Sequence, residues 1–398
     1  MNVVVRGAGL ARLAGMIVGT LLVGTAAAQE VGVTADEILL GEIQPMSGPA
    51  SLIGKAGAAG SKLAIAEINA AGGINGRKLR AIYEDDGYVP ARSVTALKKL
   101  METDRIFALT GTTGSSHMMA MMPTIATSDM PTIVHMAPNP LVVTPRRPNV
   151  FMIGPDYDRS AFVPLRYIAK QMGKRDAKFA VLYQDDDFGK ALLAGYRQVV
   201  AELGLNSVAE IPFKRGAKDF SSEVLRLKSV GATVLFNGAL TTEAAAVLSE
   251  ARRLGLDLTV ATSWANQLPA ALKLAAPAGY NYLIADYYAS NYDEAGKTLL
   301  SRASQFLSSD DQSNFNRYTV SGYVGTKVLA EGIRRCGQNV TRACVTQALG
   351  GLQGFSVDGL SGPISLNNPK GQAVLPVKVY AVDTKTQTMA PLTDFVVD

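Results

Sequence analysis

Residues 178–264 read KFAVLYQDDDFGKALLAGYRQVVAELGLNSVAEIPFKRGAKDFSSEVLRLKSVGATVLFNGALTTEAAAVLSEARRLGLDLTVATSW. Within them KFAVLYQ, SVAEIPF, ATVLFNG and DLTVATSW are short apolar runs of strand length, each apart from the last followed by turn residues. Between them KALLAGYRQVVAELG, SSEVLRLKSVG and TEAAAVLSEARRLG repeat apolar residues at helical spacing and end on glycine. Strands that alternate with helices of this length predict a parallel sheet covered by crossover helices.

The same order precedes this block. ILLGEIQPMSGPA opens a strand that ends in a Pro/Gly turn, and KAGAAGSKLAIAEINAAGGINGR continues as a helix that Gly72 and Gly73 can end in left-handed conformation. KLRAIYEDD, IFALTGTTG and MPTIVHMAPNP read as strands, with SVTALKKLMETD and HMMAMMPTIATSD as the helices between them. RPNVFMIGPDYDRS is a first crossing between two lobes, and GYNYLIADYYASN mixes polar and aromatic residues as a return strand would. TVSGYVGTKVLAEGIRRC and VTQALGG are helical, and DGLSGPISLNNPKGQAVLPVKVYAVDTKT reads as a hairpin-like tail added to a parallel sheet. The expected fold is therefore α/β with two Rossmann-like lobes: residues 29–150 with 286–355, and residues 151–285 with 356–398.

Arg6 and Arg12, the apolar run LAGMIVGTLLVGT and the small residues Ala26–Ala28 predict a signal peptide over residues 1–28. The apolar run spans about a dozen residues, short of the roughly 20 that cross a bilayer. The expected mature protein is exported, soluble and periplasmic. Cleavage leaves 370 residues with 37 basic and 34 acidic side chains. Basic residues are scattered among acidic ones with no stripe interleaved with aromatics, which excludes a nucleic-acid surface. The two cysteines, Cys336 and Cys344, are spaced to join the end of one helix to the start of the next, and a disulfide is expected in an oxidising compartment.

Ligands of open α/β sheets collect beyond the carboxyl ends of the strands. That rule selects ALTGTTGSSHMMA, where Ser115 or Ser116 can cap the next helix and offer a hydroxyl to an anion. It also selects His135 and the backbone around Ala137, with Pro138 shaping the loop. From the other lobe come Phe188 and Trp264, the single tryptophan, as stacking surfaces, and Asn237 or Asn266 as polar contacts. GTTGSS lacks the lysine of a phosphate-binding loop. Asp185, Asp186 and Asp187 read as a helix N-terminal face rather than a metal site, and His117 as a surface or cap neighbour of Ser116. Neither histidine lies in a nucleophile or zinc motif, so no catalytic residue, cofactor or metal is expected.

IQPMSGPASLIG, AIAEINAAGGINGRKL, YEDDGYVPARSV, LTGTTGSS, IVHMAPNP, QDDDFG, ARRLG and GLSGPISL follow one another in the order of the branched-chain amino-acid binding protein family. The chain resembles these periplasmic solute receptors of ATP-driven importers over nearly all of residues 36–385. The resemblance implies a type I periplasmic binding fold with a three-segment hinge, a monomer that closes on its ligand, a membrane permease as partner, and no chemistry on the ligand. It implies anion-binding hydroxyls at Ser115 or Ser116 and a gripping loop at Ala137, Pro138 and Asn139. Pocket tyrosines of amino-acid binders fall at Ile53, Phe188 and around Leu240, and their ammonium-binding acid falls around Trp264. Pro138 stands where many relatives have threonine, and no acid stands near Trp264. A buried ammonium needs a charged partner, so these departures favour an aromatic or other apolar carboxylate over a branched-chain amino acid. The alternatives are an amino-acid or amide receptor and an extracellular sensing module.

Overall fold

The computed structural model describes residues 1–5, 7 and 30–393. The expected signal peptide lies almost wholly outside the described residues. In the first lobe, β1 (Glu37–Gln44), β2 (Lys78–Asp85), β3 (Ala108–Thr112), β4 (Thr132–Val134) and β5 (Val150–Ile153) form a parallel sheet in the order β5-β4-β3-β1-β2. The second lobe is built from residues 178–286 in the predicted order. Its strands β6 (Lys178–Gln184), β7 (Asn206–Phe213), β8 (Val234–Gly238), β9 (Thr259–Thr262) and β10 (Tyr282–Asp286) are all parallel, in the order β10-β9-β8-β6-β7. Strand β8 is buried along its whole length, as a parallel strand with helices on both faces must be.

The tail contributes β11 (Gln372–Ala373), β12 (Lys378–Asp383) and β13 (Thr388–Pro391). Strands β12 and β13 form the expected antiparallel hairpin on the edge of β10. Strand β11 instead pairs with β5 in the first sheet, which corrects the assignment of the whole tail to the second lobe. The first crossing also falls later than residue 150: β5 runs to Ile153, and Gly154 at φ 123 lets the chain turn where a Cβ would lie 2.7 Å from the Tyr287 ring. The chain thus crosses near Gly154–Tyr157, after Asp286, and between β11 and β12, and these three passages are the hinge.

Local signals explain the helix ends. Asp186 accepts hydrogen bonds from the N–H groups of Phe188 and Gly189 at 3.1 Å and starts helix Asp187–Leu203, which stops at Gly204 with φ 62. Asn316 and Thr319 form a capping box for helix Arg317–Arg335. That helix packs along helix Ser51–Ala70 with their backbones touching, because a Cβ on Gly60 would lie 1.9 Å from Thr319 O and one on Gly322 2.0 Å from Gly57 O. Met118, Met121 and Met122 are buried beside Leu97 and Ile125, where methionine fills core space. No helix among the described residues is long and apolar enough to cross a membrane.

Cys336, at the end of helix Arg317–Arg335, is bonded to Cys344 in the first turn of helix Arg342–Gly350, as expected. Closing a loop of this size stabilises the folded state by about 2–3 kcal/mol. Cys336→Ser combined with Cys344→Ser is expected to lower the urea midpoint accordingly, and a reductant should reproduce the loss in the parent protein. An unchanged midpoint would show that the helix packing alone fixes this corner.

Candidate functional site

The lobes meet over an aromatic cluster at the carboxyl ends of both sheets. Tyr157 lies just past the first crossing, with its hydroxyl donating to Met136 O at 3.3 Å and its N–H donating to Pro138 O at 3.0 Å. Its ring meets Phe188 edge-on at 4.9 Å and stacks on Trp264 at 5.4 Å. Trp264 meets Tyr287 edge-on at 5.0 Å, and Tyr287 lies 4.5 Å from Tyr288. Arg317 extends from the first lobe into this group, its guanidinium 5.1 Å from the Tyr287 and Tyr288 rings and 4.7 Å from the Tyr318 ring. Burial raises the Tyr157 phenol well above the usual range, and the neighbouring Tyr318 and Tyr287 add to it, so these hydroxyls stay protonated.

The charges in the cluster are matched. Arg317 donates to both oxygens of Asp286, at 2.6 and 3.0 Å, and Asp286 also accepts from the N–H groups of Tyr287 and Tyr288. Arg215 pairs with Asp186. Asp186 and Asp286 are therefore each engaged by an arginine. The polar groups of Ser115 Oγ, Trp264 Nε1 and the Gln267 amide are buried without a protein partner. Unpaired buried donors and acceptors are costly, and a bound polar solute is one way to satisfy them.

Ser115 is buried in the first turn of helix Ser115–Ala126, but it does not cap it: Gly114, at φ 99, holds that position and no side chain caps the helix. The hydroxyl is thereby left for another partner, while Ser116 is half-buried. Phe188 and Trp264 both join the aromatic cluster. Asn139 has both ends in use, with Oδ1 accepting from Leu141 N and Nδ2 donating across the cleft to Asp187 O at 3.0 Å. Ala137 is core of the first lobe, and Pro138 serves through its carbonyl. His135 turns toward the helix behind it, its Nδ1 3.0 Å from Ser321 Oγ and its ring against Gly325. Burial, helped by the Arg317 charge, pushes its imidazole down to about 3.

Asn237 and Asn266 donate within the second lobe, to Ala244 O and to Ala239 O, and line an internal cavity with Thr241. Leu240 is buried at the start of helix Thr241–Arg253, and Ile53 in the first turn of helix Ser51–Ala70. His117 is not at the surface: it is fully buried and stacked 4.5 Å from the Tyr88 ring, because the turn after β2 folds over it. Sequence reading passed over Tyr88, Tyr157, Tyr287, Tyr288 and Arg317. Three of these tyrosines lie in the segments already read as crossings, and aromatics where a chain passes between lobes were the available signal.

Two open α/β lobes with three crossings and a buried aromatic cleft between them are the architecture of a type I periplasmic binding fold. The chain belongs to the periplasmic binding protein family, whose model matches residues 37–387. It is 30% identical over 224 residues, 55% of this chain and 58% of the relative, to an amino acid binding protein of Pseudomonas aeruginosa. The alignment thus spans less than two thirds of that relative's length. Its fold matches a branched-chain amino acid ABC transporter of Thermus thermophilus with bound valine, at 20% identity, a TM-score of 0.82 and coverage of 92% and 98% of the two chains. It also matches an R. palustris solute binding protein in complex with 4-hydroxybenzoate, at 18% identity, a TM-score of 0.79 and coverage of 90% and 96%.

Proposed function

We propose that the chain is the extracytoplasmic receptor of an ATP-driven importer, capturing a small carboxylate with an aromatic or apolar body by closure of its lobes. The observation that carries this is the pairing of Asp186 and Asp286 beside the aromatic cluster: each is occupied by an arginine, so neither is left to hold an amino acid's ammonium. A carboxylate finds Ser115 at the positive end of helix Ser115–Ala126, and an apolar body finds Phe188, Tyr157 and Trp264. The same fold holds 4-hydroxybenzoate in one neighbour and valine in another. The receptor is read as periplasmic, monomeric, non-catalytic and delivering to a membrane permease.

Calorimetry on refolded, ligand-free protein tests it, with benzoate, 4-hydroxybenzoate, cinnamate, leucine and a short amide as titrants. Saturable binding of an aromatic acid without leucine binding is expected. Trp264→Ala should then weaken that acid by about 10–100-fold, as loss of a central aromatic anchor does. Tight leucine binding with no response to the acids would restore amino-acid uptake as the function.

A further inference from the structure

The turn after β2 makes a contact across the cleft that solute binding does not require. Asp85 accepts from the N–H groups of Met46, Ser47 and Gly87 at 2.8, 3.2 and 2.9 Å. Asp86, fully buried, accepts from Tyr88 N at 2.9 Å and Ser93 Oγ at 2.7 Å. Fixed by these two carboxylates, Tyr88 holds φ at 62°, a left-handed conformation that costs a residue with a side chain about 1 kcal/mol. Strain of this kind persists where the surrounding contacts outweigh it.

Those contacts come from both lobes. The Tyr88 ring is buried and stacks on His117 with 24° between the planes, an approach that a Cβ on Gly114 would block at 2.3 Å from His117 Nδ1 and 3.0 Å from Tyr88 Cε2. From the second lobe, Arg215 places its guanidinium carbon 4.7 Å from the centre of the same ring, and its Nη1 donates to Tyr88 O at 3.4 Å. Arg215 is itself anchored to Asp186, the cap of the helix that carries Phe188. A residue strained into position on one lobe thus meets a cation held in position on the other.

We propose that Tyr88 and Arg215 form a cross-cleft latch that stabilises the closed arrangement of the lobes independently of the solute's own contacts. The latch rests on the reading that the lobes open and close, but not on which solute they capture. A cation–π contact at a partly exposed rim shifts a closed-to-open ratio about 3–10-fold.

Pulsed EPR distances in the ligand-free full-length mature chain measure that ratio, with spin labels replacing the exposed Lys98 of the first lobe and Lys228 of the second. Tyr88→Leu and Arg215→Ala are each expected to lower the closed population about 3–10-fold. The double variant should fall no further than the stronger single one, because both remove the same contact. Arg215→Lys, which keeps the charge beside Asp186 but not the planar group, should fall between the parent and Arg215→Ala. Unchanged distance distributions, effects that add in the double variant, or a parent with no closed component would each overturn the latch. None of these readings uses a solute, so failure of the ligand assignment leaves the result interpretable.

Discussion

Arg317→Ala is expected to lower the unfolding free energy by about 3–5 kcal/mol, the largest single effect of any substitution in the cleft. Both members of the Arg317–Asp286 pair are essentially excluded from water, at 1% and 0% side-chain exposure. Removing the guanidinium leaves a carboxylate in an apolar, tyrosine-lined space with only the N–H groups of Tyr287 and Tyr288 to face. Removing both charges avoids that. Arg317→Met with Asp286→Asn should cost clearly less than Arg317→Ala, since asparagine still accepts the two N–H groups. Urea unfolding of the three proteins checks this. Equal losses in the single and double variants would place the stabilisation in packing of the arginine stem rather than in charge. Because the pair joins the end of β10 to the helix of the other lobe, the single variant should also loosen the second crossing.

The second large effect is a pH dependence. Glu42 lies in the middle of β1, 1% exposed, with one oxygen unpartnered and the other 3.5 Å from Gln44 Nε2. Burial pushes its carboxyl up to about 8, against the smaller pull of Ser61, Gln44 and Lys62. The folded chain therefore keeps the proton from about pH 4.5, where the unfolded carboxyl ionises, up to about pH 8. Across that window the unfolded state binds fewer protons than the folded one, so stability falls as pH rises, by up to about 1.4 kcal/mol per pH unit. The contribution is complete below the unfolded value and gone once pH passes the folded one. Glu42→Gln should remove this slope, leaving the variant about 4–5 kcal/mol more stable relative to the parent at pH 9 than at pH 4. Parallel stability–pH curves for the two proteins would show that Glu42 is ionised in the fold.

The sheets were legible in the sequence because their signal is local. Strands β6, β8 and β10 carry runs of consecutive apolar residues, and each crossover helix repeats every three or four, so KFAVLYQ and TEAAAVLSEARRLG identify themselves. Strand β11 was not legible. Two residues, Gln372 and Ala373, carry no period, and only their pairing with β5 assigns them to the first sheet. In the site, Phe188 and Trp264 were reachable because each follows a strand. Tyr88 and Arg317 were not, since the partners that give them meaning, Arg215 and Asp286, stand 127 and 31 residues away. A buried tyrosine in a cleft and one in a core look alike until the fold brings their neighbours together. The hydroxyl of Ser115 illustrates the converse: the sequence offered it both as a helix cap and to an anion, and the structure removes the first use because Gly114 holds the capping position.

The backbone contact between helices Ser51–Ala70 and Arg317–Arg335 also orders the birth of the molecule. The second lobe's five parallel strands follow one another in the chain, so the parallel part of its sheet can form as soon as residue 286 is available. The first lobe cannot: the helix that seals its sheet arrives some 250 residues after the helix it covers, and its last strand, β11, later still. Non-local closure of this kind is slow. A chain emerging from its amino end would therefore carry an unsealed first half past a second one whose parallel strands are already in place and await only the β12–β13 hairpin at their edge.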